Sequence, residues 1–108
     1  MSTAWFALLL AGALEVIWAL CMKYSDGLTR FWPTAAAIAA IALSFAMMAI
    51  SLRQVPFGTA YALWTGMGAA GSIVAGILLF QESADLVRLS CLALIIVGMV
   101  GLKLATPE

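Results

Sequence analysis

Apolar and polar positions occur along this chain in long blocks rather than in residue-by-residue alternation. Four blocks are almost free of charged side chains, and short polar stretches separate them. A helix needs about 20 predominantly apolar residues to cross a bilayer, at a rise of about 1.5 Å per residue. The pattern therefore predicts four transmembrane helices, which we expect at about residues 4–22, 31–52, 55–80 and 86–104.

The composition agrees with a membrane location. The chain is 66% hydrophobic and 9% charged, whereas a soluble domain carries roughly 25% charged residues. The four spans use nearly all of the sequence, so we expect one all-α membrane domain over residues 1–108 and no separate soluble domain. The stretch from Met1 to Ala4 lacks the basic residues of a cleavable signal peptide, so the first helix is expected to remain in the mature protein.

The same composition argues against several kinds of function. There is no His, and Cys21 and Cys91 lie far apart without a CxxC spacing, so neither a metal site, a redox pair nor a cofactor is predicted. Five Lys and Arg residues balance five Asp and Glu residues, and no basic cluster occurs. Nucleic acid is therefore not an expected partner, whereas the lipid bilayer is.

Positive residues are shared almost evenly between the two sides of the membrane. With four spans, one side carries Lys23, Arg30 and Arg88. The other side carries Arg53 and Lys103. Orientation follows the side with more Lys and Arg in short loops, and a difference of one is a weak bias. We therefore expect the chain to insert in both orientations and to pair as an antiparallel homodimer, an inverted repeat of eight helices built from two identical chains.

Glycines mark two places where helices should bend or pack. The third span is the longest, and Gly66 and Gly68 near its middle are the predicted hinge. Gly98 and Gly101 lie about one turn apart on the fourth span, where they predict the packing surface between two subunits.

Glu15 is the only charged residue in the apolar run from Ala4 to Met22. A carboxylate at bilayer depth costs about 2.5–3.5 kcal/mol on insertion scales. An acid at that depth predicts a site for a proton, a cation, or both in turn, and a structural hydrogen bond is the alternative. Gly12 and Trp18 share its helical face. Close helix packing is the alternative for Gly12, and an anchor at the membrane surface is the alternative for Trp18.

Side chains on two other spans are candidates to meet this acid. Tyr61 and Trp64 lie about one turn apart on the third span, and their phenol and indole N–H groups suit donation to a carboxylate and contact with a cation. Ordinary core packing is the alternative for this pair. Ser44 is the central polar residue of the second span, where a serine on its own usually bonds to its own helix. Lys103 is expected to reach the lipid headgroups rather than to pair with an acid.

These residues lie in segments that resemble the small multidrug resistance family, and the resemblance covers essentially the whole chain. It implies a transporter rather than an enzyme, located as a multi-pass protein in the bacterial inner membrane. Within the family, the chain resembles the subtype that exports guanidinium ion more than the subtype that exports quaternary ammonium and polyaromatic compounds. Trp18 is the distinguishing residue, because the second subtype tends to carry a small residue at this position. The matching segments are Ala11-Gly12-Ala13-Leu14-Glu15-Val16-Ile17-Trp18, residues 23–30 and residues 56–68.

The resemblance also implies a site and its partners. Two Glu15 side chains, one from each subunit, would bind guanidinium ion or a small substituted guanidine and exchange it for protons by alternating access. Trp18 and Ser44 would orient the carboxylates, and Tyr61 and Trp64 would wall the pocket. The alternatives are the multidrug subtype, a non-transporting membrane accessory subunit and a rotary proton-ring subunit. The six implied site residues are Gly12, Glu15, Trp18, Ser44, Tyr61 and Trp64.

Overall fold

The computed structural model describes residues 3–106, and its regular elements are four α-helices. Each is long and apolar enough to span a membrane, so the prediction of an all-helical protein with four spans is confirmed. The two residues at each terminus, including the charged Glu108, lie outside the described residues. The helices are α1 (Thr3–Tyr24), α2 (Phe31–Ser51), α3 (Phe57–Phe80) and α4 (Leu86–Ala105).

The helix ends differ from the expected ones by at most two residues. The largest differences are at the end of α1, which continues to Tyr24, and at the start of α3. The third helix begins at Phe57 rather than at residue 55 because Pro56 adopts extended backbone with φ −56° and ψ 144°. Val55 still belongs to the turn that ends α2, since its N–H donates to the carbonyl oxygen of Ser51 at 2.9 Å.

The four helices form an open layer rather than a closed bundle. α1 packs along both α2 and α3, whereas α2 barely meets α3 and the backbone of α4 approaches only α3. The order across the layer is therefore α2, α1, α3, α4, and its thinnest dimension is 18 Å. No residue of α4 is buried, so this helix forms one edge of the layer.

Glycines allow α1 and α3 to approach closely. A Cβ placed on Gly12 would lie 2.7 Å from the Cβ of Met67, and a Cβ on Gly68 would lie 2.9 Å from the Cβ of Glu15. Real Cβ atoms essentially never lie so close to such neighbours. Small residues at helix contacts are typical of membrane proteins, where packing rather than the hydrophobic effect holds helices together.

Contacts at the helix ends place the start of α1 and the end of α4 at the same end of the layer. Lys103 Nζ lies 4.4 Å from the centroid of the Trp5 ring, which joins the end of α4 to the start of α1. Thr59 and Thr106 are hydrogen-bonded through their hydroxyl groups at 3.2 Å. At the opposite end, Tyr24 packs on Phe80 with ring centroids 5.5 Å apart. This arrangement matches an even number of membrane crossings.

The glycines proposed to bend or pack have distinct surroundings. α3 is an unbroken helix through Gly66 and Gly68, and a Cβ on Gly66 would lie 2.8 Å from Met99 Sδ of α4. Added Cβ atoms on Gly98 and Gly101 would meet no atom within 4 Å among the described residues. The hinge at Gly66 and Gly68 and the intersubunit surface at Gly98 and Gly101 both stay predictions. The space beside Gly98 and Gly101 is open, so a second subunit could pack there.

Candidate functional site

Glu15 lies near the middle of α1, about 18 Å along the helix from Thr3. Its side chain is half-buried and points toward α2 and α3. Gly68 of α3 leaves the space that its carboxylate stem occupies, since the Cβ missing from Gly68 would collide with Glu15 Cβ. Helix packing thus brings the single acid of this span to the junction of three helices.

One oxygen of the carboxylate is fixed by the protein. Trp18, one turn further along α1, donates its indole N–H to Glu15 Oε1 at 2.7 Å. The hydroxyl oxygen of Ser44, from α2, lies 3.4 Å from the same Oε1. Hydrogen bonds to a charged acceptor are stronger than those between neutral groups, so the Trp18 contact defines the orientation of the carboxylate. Trp18 therefore faces the acid, as its position on the helix predicted.

Ser44 connects all three helices. The side chain is fully buried, and its hydroxyl donates to the carbonyl oxygen of Ala11 in α1 at 2.9 Å. The same oxygen accepts the indole N–H of Trp64 from α3 at 3.0 Å. A hydroxyl has one proton, so Ser44 donates either to Ala11 or to Glu15 Oε1, and the shorter distance favours Ala11. This geometry differs from the bond to its own helix that an isolated serine usually makes.

The second oxygen of the carboxylate is open. Within residues 3–106, no donor hydrogen-bonds to Glu15 Oε2. Every fully buried side-chain nitrogen or oxygen atom of the residues that are not exposed has a hydrogen-bond partner in the described part of the chain. Oε2 is therefore accessible, and it can accept a proton or an N–H group from a cation.

Aromatic rings form the wall beside this carboxylate. Trp64 packs edge-on against Phe45 of α2 and against Tyr61, with ring centroids 5.4 and 5.9 Å away. Tyr61 also stacks on Phe57 and is 51% exposed. The indole N–H of Trp64 meets Ser44 instead of the carboxylate that we expected, because Ser44 lies between the two side chains. The phenol of Tyr61 has no hydrogen bond to Glu15 within the described residues.

The predicted residues thus divide into three groups. Glu15, Trp18, Ser44 and Trp64 form one polar cluster, in which Trp18 donates to Glu15 and Trp64 donates to Ser44, and the Ser44 hydroxyl lies 3.4 Å from Glu15 Oε1. Tyr61 joins it only through its ring contact with Trp64. Gly12 is buried one turn before Glu15 and packs on Met67. Its contacts are therefore those of close helix packing, which was the alternative to a role in binding.

Three contributors to the site were not predicted from the sequence. The Ala11 carbonyl accepts from Ser44, Phe45 flanks Trp64, and Met67 fills the space beside Gly12. Phe45 could have been found from its position next to Ser44. The other two depend on how α1 is rotated against its neighbours, which the apolar pattern leaves open.

Comparisons with known proteins give matches over most of the chain. The profile described as Small Multidrug Resistance protein matches residues 3–95. Proteins named "Guanidinium exporter" from Citrobacter freundii and Salmonella typhimurium are each 52% identical over 103 residues, which cover 95% of this chain and 98% of theirs. A protein of the same name from Escherichia coli K12 is 47% identical over the same shares of the two chains.

Proposed function

Because the chain belongs to the small multidrug resistance family, we propose that it is a proton-coupled antiporter that exports guanidinium ion and small substituted guanidines. Family membership and relatives that are named exporters make the protein a transporter and not an enzyme. Its four apolar helices and its bacterial relatives make it a multi-pass protein of the bacterial inner membrane. The choice of substrate is supported by the name those relatives carry.

The half-fixed carboxylate of Glu15 is the observation that carries the proposal. Guanidinium is planar, permanently charged at physiological pH and offers N–H groups that match carboxylate oxygens. Trp18 holds Oε1 at 2.7 Å, so Oε2 is presented in a defined direction without a further loss of side-chain freedom on binding. Charge-assisted hydrogen bonds to that oxygen supply the affinity.

Competition at this carboxylate supplies the coupling. A bound cation favours the charged form of Glu15, whereas a bound proton produces the neutral form, which holds a cation poorly. Proton and guanidinium therefore exclude one another, and movement of one across the membrane drives the other in the opposite direction. No other acid lies within a span of the described chain.

We place this exchange in an antiparallel homodimer in which each subunit contributes one Glu15. The edge helix α4 has no buried residue, and the space at Gly98 and Gly101 is open. Both features suit a second copy. Alternating access would follow from the two subunits exchanging conformations, with α3 bending at Gly66 and Gly68.

The test is current from purified protein in liposomes on a solid-supported membrane, challenged with guanidinium and then with a bulky quaternary ammonium ion. We expect a pH-dependent guanidinium current that Glu15→Gln abolishes, because the amide neither takes up nor releases a proton near neutral pH and has no negative charge. Asp26→Asn is the matched control. It makes the same chemical change at an exposed turn residue whose positive φ of 52° suits asparagine.

Three outcomes would contradict the proposal. A current only with the quaternary ammonium ion would assign the chain to multidrug export. Silence with both cations from folded protein would favour an accessory subunit that does not transport. Normal proton-driven guanidinium current from Glu15→Gln would remove Glu15 from the mechanism.

A further inference from the structure

An apolar cavity opens on the side of the helix layer, apart from the Glu15 site. It has a volume of about 280 Å³, and its lining is almost entirely apolar. Its residues come from α1, α3 and α4, and Lys103 lies among them near the end of α4. On each helix the lining spans five or six residues, so the cavity runs about 7 Å inward from this end.

A cavity of this kind holds hydrocarbon in a membrane. Water requires two to four polar partners in such a space, and these walls offer almost none. An empty cavity would leave the exposed lining residues Leu9, Val100 and Leu104 without packing partners on one side. The surrounding bilayer supplies acyl chains of the right width, whereas a helix of a second copy is about 10 Å across and cannot enter.

Lys103 is the charged residue at the mouth of the cavity. Its ammonium group lies 4.4 Å from the centroid of the Trp5 ring, and within residues 3–106 it pairs with no carboxylate. The position near the end of a spanning helix is where headgroups begin. A positive charge at the mouth repels a cationic headgroup and attracts a phosphate without a compensating amine.

We propose that this cavity binds one acyl chain of an anionic phospholipid, with the headgroup phosphate held by Lys103. None of its lining residues belongs to the polar cluster of Glu15, Trp18, Ser44 and Trp64, and Met67, which packs on Gly12, is the one lining residue shared with the surroundings of that site. Basic residues beside spaces between membrane helices are a recurrent means of binding anionic lipids.

Native mass spectrometry of the purified protein in nonionic detergent tests the proposal, with dioleoylphosphatidylglycerol and dioleoylphosphatidylcholine titrated separately. The two lipids share the same chains and differ in headgroup charge. We expect the phosphatidylglycerol to bind about fivefold more tightly, the equivalent of about 1 kcal/mol for one lysine. Lys103→Gln should remove that preference. Lys23→Gln is the matched control, because Lys23 also lies over an aromatic ring, at 5.3 Å from Phe80, but lines no part of the cavity.

A second pair of variants tests the cavity itself. Val100→Phe fills the space and should weaken binding of both lipids by about tenfold, roughly the contribution of two methylene groups. Val97→Phe makes the same change one turn earlier on α4, outside the cavity, and should leave lipid binding unchanged. Equal binding of the two lipids to the unaltered protein, or a preference that survives Lys103→Gln, would overturn the proposal. A Val100→Phe variant that loses its dimer while keeping its lipid count would instead assign this surface to a second copy.

Discussion

The hydroxyl group of Ser44 in α2 joins α1 and α3 through a single oxygen atom. It accepts from Trp64, and it can donate to either the Ala11 carbonyl or Glu15 Oε1. Because the side chain is fully buried, no water replaces a lost partner. The orientation of the carboxylate and the position of the aromatic wall are therefore connected through a single atom.

Removing this hydroxyl should weaken the site without unfolding the protein. Ser44→Ala leaves the indole N–H of Trp64 without its acceptor, and an unsatisfied buried polar group costs roughly 1–3 kcal/mol. We expect guanidinium affinity, measured as the half-saturating concentration for transport current, to fall about tenfold. Ser51→Ala is the control, because Ser51 is equally buried but bonds only within its own helix, to Met48. An unchanged half-saturating concentration in Ser44→Ala would show that Trp64 is held by other contacts.

The residue types of the site could be predicted from the sequence, but their connections could not. Glu15 is identified by the cost of a charge in an apolar span, and Trp18 by its spacing of three residues on the same helix. The bond between Trp64 and Ser44 depends instead on the relative rotation of α2 and α3. In lipid, every face of a helix can be apolar, so the pattern does not select the face that packs.

At the scale of elements, α3 contacts a different neighbour at each of its two central glycines. Gly66 receives Met99 from α4, and Gly68 receives Glu15 from α1. The pair was predicted as a hinge because glycines weaken a long helix. The contacts supply a second reason for glycine at both positions, and that reason needs no bending.

Alanine substitutions separate these two roles. Gly68→Ala should weaken guanidinium affinity, because its Cβ would press on the stem of Glu15, and overpacking typically costs 1–3 kcal/mol. The Cβ of Gly66→Ala would press on Met99 of α4, at Sδ and Cγ, and not on Glu15, so the guanidinium affinity of this variant should be near that of the unaltered protein. If Gly66 is a hinge, the rate of exchange between the two access states, measured by NMR line shape, should nevertheless fall. A Gly66→Ala variant with unchanged exchange would leave the hinge without support.

The start of α4 depends on a charged cap. Asp85 Oδ1 accepts the backbone N–H of Arg88 at 2.9 Å, and Ser83 donates to Oδ2 at 3.0 Å. The Arg88 backbone hydrogen bond, followed by that from Ser83, lowers the pKa of Asp85 below its ordinary value. A negative charge also suits the N-terminus of a helix.

A lowered folded-state pKa fixes the direction of the pH dependence. The contribution of Asp85 to stability is fully present above the ordinary Asp pKa of about 4 and is lost as the pH falls through the lower folded value. At neutral pH, the thermal midpoint should fall in Asp85→Asn and fall further in Asp85→Ala, which lacks a cap. As the pH falls below about 4 and through the lower folded-state pKa, the difference between the unaltered protein and Asp85→Asn should shrink and then disappear. A difference that persists there would mean that the charge of Asp85 is not its source.

At the scale of the whole molecule, a single chain forms an open layer of helices rather than a closed bundle. The layer is 18 Å thin, α4 has no buried residue, and the Glu15 carboxylate reaches an open face. The number of spans follows from the lengths of the apolar runs. The order α2, α1, α3, α4 does not, because the apolar runs resemble one another and the decisive contacts are glycines and one buried serine.

The balance of positive charges predicts how two copies are arranged. A reporter fused to the C-terminus of the unaltered chain should be found on both sides of the membrane, since the loops differ by one positive residue. Ala84→Arg, in the third connection, makes the count four against two and should fix one orientation. Gln54→Arg adds the same charge on the opposite side, makes the count three against three and should preserve the mixture. A single orientation of the unaltered chain would exclude the antiparallel pair.

The difference between the two oxygens of Glu15 gives the site a polarity. Trp18 and Ser44 occupy the surroundings of Oε1, so in the proposed exchange both the proton and the guanidinium ion would bind at Oε2. The two ions would then enter and leave the site by the same route, and the side of the membrane that this route faces would set the order in which they bind.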